Sequence, residues 1–142
     1  MIKRWLQENA NLLGASAAVL ALGGVWAQIE ASKNQQALQS ARDAYRSHLS
    51  LSIEKPLFAA PSDVCQFIRE ENVAYDAFVA HLLYAAEQML EQKPDWTEVF
   101  RRELAPHEAY ICHYRSEFLT DGPLDEMLQE IVAVCPEKPI CS

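Results

Sequence analysis

The sequence predicts an all-α protein in which one N-terminal transmembrane helix extends into a small helical domain. Three observations carry that reading. Residues 9–29, between Glu8 and Glu30, contain no charge, and about twenty apolar residues rising about 1.5 Å each cross a hydrocarbon core about 30 Å thick. In the rest of the chain, apolar residues recur at three- and four-residue steps, the period of a helix. No strand-like alternation of useful length interrupts them.

The elements follow in order. Residues 1–8 form a short flank and 9–29 the span. From Glu30 to Glu54 there is neither Gly nor Pro, and Leu38, Ala41, Tyr45, His48, Leu49 and Ser52 make one stripe on a helix. One long helix is therefore expected from about Trp5 to Ile53, ending before Pro56, because proline disfavours helix at its predecessor. It would project about 35 Å beyond the membrane at the standard rise. Residues 55–142 form an acidic helical domain. Its linker at 55–62 carries two prolines, and Ser62 or Asp63 can cap a helix that begins with Val64, Cys65, Phe67 and Ile68. Residues 72–92 give the densest helical signal outside the span, with Val73, Ala77, Phe78, Leu82, Ala85 and Met89 in step and Leu83 and Tyr84 widening the face. His81 breaks that segment and Lys93-Pro94 ends it, so it reads as a core helix. Asp95-Trp96-Thr97-Glu98 matches a capping box and predicts a helix through Leu104. Another is expected from His107 to Phe118. After an Asp121-Gly122-Pro123 turn, the last carries Leu124, Met127, Leu128, Ile131 and Val134.

Charge divides unevenly. Residues 1–29 hold Lys3, Arg4 and Glu8, and the remainder holds 10 Lys and Arg against 19 Asp and Glu, a net of −9. A surface that acidic repels phosphate backbones, which excludes nucleic acid, and would attract a basic protein through a salt-sensitive contact. The span also fits a cleaved signal peptide, with Lys3 and Arg4 at its start and Val25-Trp26-Ala27 as a cleavage site. Glu8 in the flank and an apolar run of spanning length favour a retained anchor. Positive charges near the span nearly balance, Lys3 and Arg4 against Lys33, Arg42 and Arg46, so they orient it weakly.

Cysteine usage adds to the orientation. Cys65, Cys112, Cys135 and Cys141 all lie beyond the span, an even number, and Cys135 and Cys141 flank a Pro-Glu-Lys-Pro-Ile segment that a disulfide could close. A Cys135–Cys141 disulfide in an outward-facing, periplasmic domain is expected, with four buried thiols in a cytoplasmic domain as the alternative.

Catalytic motifs are missing. No Glu-x-x-His, His-Glu-x-x-His or Cys-x-x-Cys occurs, and Gly122 is the single glycine beyond the span, so there is no phosphate loop. Cys112 and His113 adjoin in sequence, but neighbours on a helix point about 100° apart. A site drawn from separate helices, such as His48, His81 and His113, is the alternative metalloprotein reading. Glu70, Glu71, Asp76, Glu87 and Glu91 read as a solvated face. No catalytic, cofactor-binding or metal-binding residue is assigned. Gly14/Ala18 and Gly23/Ala27 are small-xxx-small pairs that permit close packing of membrane helices.

Val25-Trp26-Ala27-Gln28-Ile29, followed by Asn34-Gln35-Gln36-Ala37-Leu38, resembles the junction in a widespread group of uncharacterised bacterial single-pass membrane-anchored helical proteins. The segment Tyr75-Asp76-Ala77-Phe78-Val79, continuing to Glu87-Gln88-Met89-Leu90-Glu91, is similar to the group's central helix, as is Phe100-Arg101-Arg102-Glu103-Leu104 with Pro106-His107. Glu30 stands where the group has Arg. The resemblance implies a bacterial inner-membrane anchor and brings no activity. The expected function is a non-catalytic accessory or interaction subunit of a larger membrane complex, bioenergetic by its acidic face, with a membrane-anchored sensor as a further alternative. Its partners would be other membrane subunits at the anchor and a basic protein at the domain.

Overall fold

The computed structural model describes residues 10–115, 122–137 and 140–141, with side chains described from Leu20 onward. Among these residues every regular element is helical. The chain divides into two compact units, residues 1–36 and 37–142.

Helix α1 (Ala10–Glu54) is continuous across that division. It ends where expected, one residue short of Pro56, with the Lys55 N–H donating to the Leu51 carbonyl at 2.8 Å. Among the described residues no helix is long and apolar enough to cross a membrane. Where the side chains of α1 are described, the uncharged run covers only residues 20–29 before Glu30 begins a polar stretch. The first half of the expected span, residues 9–19, falls outside the described side chains. Leu22, Val25, Trp26 and Ile29 are exposed, Trp26 at 70%.

The second unit takes in the last two-fifths of α1. Most of the stripe read from the sequence packs as a seam: Ala41 and His48 are fully buried and Leu38, Tyr45 and Ser52 partly so, whereas Leu49 stays exposed; Leu51, outside that stripe, is also partly buried. Two short helices follow, α2 (Pro56–Ala59) and α3 (Val64–Arg69). Asp63 is the α3 cap, its Oδ1 accepting from the Gln66 N–H at 3.2 Å. Helix α3 closes in a Schellman arrangement, with the Asn72 N–H bonded to the Phe67 carbonyl and the Glu71 N–H to that of Ile68. That motif needs a left-handed residue, and here it is Glu71, at φ 47°.

Helix α4 (Val73–Gln92) is the centre of the domain. Asn72 caps it through a 3.0 Å bond to the Tyr75 N–H. Tyr75, Phe78, Val79, Leu82, Leu83, Ala85, Ala86, Met89 and Leu90 are all buried, so apolar surface covers nearly half of the circumference of this helix. Tyr84, expected to widen that face, is 52% exposed.

The capping box at 95–98 does not form. Pro94 opens a 3-10 turn (Pro94–Trp96), Thr97 bonds back to the Pro94 carbonyl, and α5 (Thr97–Leu104) starts without a side-chain cap. Proline's fixed φ starts the turn before Asp95 can act as a cap. A second 3-10 turn (Ala105–His107) leads into α6 (Glu108–His113), shorter than expected; residues 116–121 are outside the description. Pro123 sits at the first position of α7 (Pro123–Ala133), whose Leu124, Met127, Leu128 and Ile131 are buried. Val134, placed in the same stripe by sequence, is 77% exposed beyond the helix end. Helix α4 lies against α7, the 94–96 turn and α5, and α6 touches both α3 and α7. Arg101 ties α5 to α7 through Glu130 at 2.5 Å and also meets Glu98.

All four cysteines are paired, but not as the sequence suggested. Cys65 on α3 bonds Cys141, and Cys112 on α6 bonds Cys135, with Cα–Cα separations of 5.1 and 5.5 Å. The expected Cys135–Cys141 bridge is therefore absent. Cys135 follows α7 directly and faces α6, and the tail then continues far enough to bring a buried Cys141 against α3. The Cys65–Cys141 bridge encloses the Cys112–Cys135 bridge in sequence.

Candidate functional site

The chemically distinctive part of the domain is a column of buried histidines and aromatic rings at its centre. His48 on α1 stacks on His81 of α4, with ring centroids 5.7 Å apart and planes 20° apart. Phe78 lies 4.8 Å from the His48 ring and 5.8 Å from His107. His107 is 1% exposed, and its Nδ1 shares a 2.7 Å hydrogen bond with the Tyr75 hydroxyl.

Burial sets the protonation of these groups. It pulls His48 down to about 4, with the neighbouring His81 adding to the shift. His107 is pulled down to about 4 in the same way, with a smaller contribution from His48. Burial raises the Tyr75 hydroxyl, and Asp76 raises it further. Both histidines are accordingly neutral at pH 7. The Ser52 hydroxyl donates to the His48 carbonyl at 2.9 Å and meets its Nε2 at 3.3 Å, which makes Nε2 the protonated nitrogen of that ring. Among the described residues the buried Nδ1 atoms of His48, His81 and His113 have no hydrogen-bond partner.

This column does not form the three-histidine metal site considered from sequence. His48 and His81 come together, but near-parallel rings direct their in-plane lone pairs side by side and not toward one point. His113 instead packs its ring against Tyr114. Among the described residues no three His, Cys, Asp or Glu side chains converge on a metal position. Cys112 is occupied by its disulfide and cannot act as a nucleophile for His113. Glu70, Glu71 and Glu91 are exposed, with Asp76 and Glu87 half-buried. A cleft of about 340 Å³ lined by Leu90, Pro94, Thr97, Gly122, Pro123 and Glu126 holds a single carboxylate and no partner base.

His107 is the residue that sequence reasoning missed. Its signal was present: Phe100, Leu104, His107 and Ile111 stand at four-, three- and four-residue steps, and all four are buried. A histidine inside an apolar stripe marks a core position.

Of the proposed helix-packing residues, Gly14 and Ala18 have no described side-chain surroundings. Gly23 and Ala27 are exposed, and a Cβ on Gly23 would meet nothing within 4 Å. Because α1 is one unbroken helix, the nine residues from Gly14 to Gly23 turn it through about two and a half turns. On such a helix the two pairs stand about half a turn apart.

No family model matches the chain, and no curated protein or solved structure matches it either.

Proposed function

We propose that this protein is a non-catalytic, single-pass accessory subunit of a bacterial membrane complex, presenting a helical domain to a protein partner. The observation that carries the reading is α1 itself, one helix whose C-terminal part belongs to the domain core and whose N-terminal part continues an uncharged run. The described part of that run is too short to span alone, so the anchor depends on residues 9–19. Two disulfides with no cysteine left over support an oxidising compartment, hence a periplasmic domain. The acidic balance of residues 30–142 favours a basic partner, such as a soluble electron carrier of a bioenergetic assembly.

Gentle detergent extraction followed by identification of co-purifying subunits tests this. The expected result is a detergent-phase protein recovered with stoichiometric membrane partners. Partition into the aqueous phase would reject the anchor, and recovery from the membrane as a lone chain would reject the complex. Gly14→Leu and Gly23→Leu should be tested separately, since they probe opposite faces; one of them should weaken recovery without preventing insertion.

A further inference from the structure

The cross-links divide the domain unequally. Both disulfides lie beyond residue 64, so α3, α4, α6, α7 and the tail are stapled together. Residues 37–54 of α1 carry no cross-link, and their buried seam packs against that core. The seam's two fully buried members are Ala41, which is small, and His48.

His48 is an unusual choice for such a fastener. It is closed off from water, it stacks on a second histidine, and its Nδ1 is unpartnered among the described residues. From its own helix it meets Ser52, with Tyr45 one turn away. From α4 it meets His81, and through Phe78 the Tyr75–His107 pair beside Asp76. From α5, Glu103 and Arg102 act on Tyr45 with opposite signs. Among the described residues His81 is the charged or titratable neighbour that acts on the His48 ring. A proton on His48 would therefore be buried and stacked on a second imidazole, away from water.

We infer that the His48–His81 stack is an acid-sensitive latch whose protonation releases residues 37–54 of α1 from the disulfide-stapled remainder of the domain. The device goes beyond the accessory role proposed above and does not depend on which partner is bound. It makes the attachment between the long helix and the domain responsive to acidification, while the staples keep the remaining core folded.

Hydrogen exchange on the full chain in mild detergent, corrected for the intrinsic pH dependence of exchange, tests the latch. Opening of residues 37–54 should increase about 20- to 30-fold between pH 7 and pH 5, the ratio for a histidine held near 4 when closed and titrating near 6.5 when open. Protection over residues 73–92 and 123–133 should persist across that range. In His48→Leu the opening should become flat with pH, and in His113→Gln it should match the unsubstituted chain. Retained pH dependence in His48→Leu would overturn the latch, as would simultaneous loss of protection in all helices. Ring titration of the unsubstituted chain by NMR supplies a check that needs no variant. A His48 ring that titrates near 6.5 while residues 37–54 stay protected would also overturn it.

Discussion

Removing the outer disulfide by Cys65→Ala with Cys141→Ala should cost more stability than any single packing change in the domain. The bridge joins residues 76 apart, but the inner bridge short-circuits 23 of them, leaving an effective loop of 53. The chain-entropy relation gives about 4 kcal/mol for closing such a loop at 25 °C, against about 2 kcal/mol for the six-residue interval from Cys135 to Cys141. The difference arises because a longer loop samples more conformations in the unfolded chain, and a cross-link removes them. Urea unfolding at pH 7.5, followed by near-UV circular dichroism, measures the effect. With a slope of about 2 kcal/mol per molar urea, the midpoint should fall by about 2 M. The pairing is checked on the unreduced protein by cleavage after Glu137, which separates Cys135 from Cys141. The fragment holding Cys141 should then carry the Cys65 peptide. A midpoint shift below about 0.5 M, or a Cys135–Cys141 linkage in the map, would refute the reasoning.

Other expectations follow from single residues. Glu71→Gly should stabilise the domain by about 0.5–1 kcal/mol, because glycine relieves the left-handed backbone at φ 47°; a loss of stability in a urea melt would show that the Glu71 side chain does more than occupy the turn. Tyr75→Phe should cost about 1–3 kcal/mol by leaving His107 Nδ1 buried and unpartnered, which the same melts detect as a lowered midpoint. His107 is neutral in the folded domain and held near 4, so its contribution is intact above the unfolded value of about 6.5 and is lost as pH falls toward 4. In His48→Leu, which removes the other buried histidine, the thermal midpoint should therefore drop between pH 7 and pH 5 by an amount corresponding to about 1–2 kcal/mol, and a flat profile would rule out a buried neutral His107. Neutralising Glu70, Glu71 and Asp76 together should slow association with the co-purifying partner and weaken its salt dependence; unchanged kinetics would place the contact elsewhere.

The helices were legible in the sequence because their signals are local. The 3.6-residue period of residues 73–92, the Asp63 cap, and the proline that stops α1 each act within a turn of the residues they affect. The same locality made the capping-box reading at 95–98 fail, since Pro94 competed one residue earlier. What required tertiary structure was every pairing between distant residues. Cysteine spacing favoured the nearest partner, whereas pairing depends on where α7 and the tail deliver each thiol. The histidines were visible as residues, but the His48–His81 stack and the Tyr75–His107 bond arise only when α1 and the 105–107 turn meet α4. The order of residues along the chain determined the all-helical class and the uncharged run, and composition determined the acidic balance. Folding decided which titratable groups lose their water, because burial belongs to surfaces brought together from separate parts of the chain.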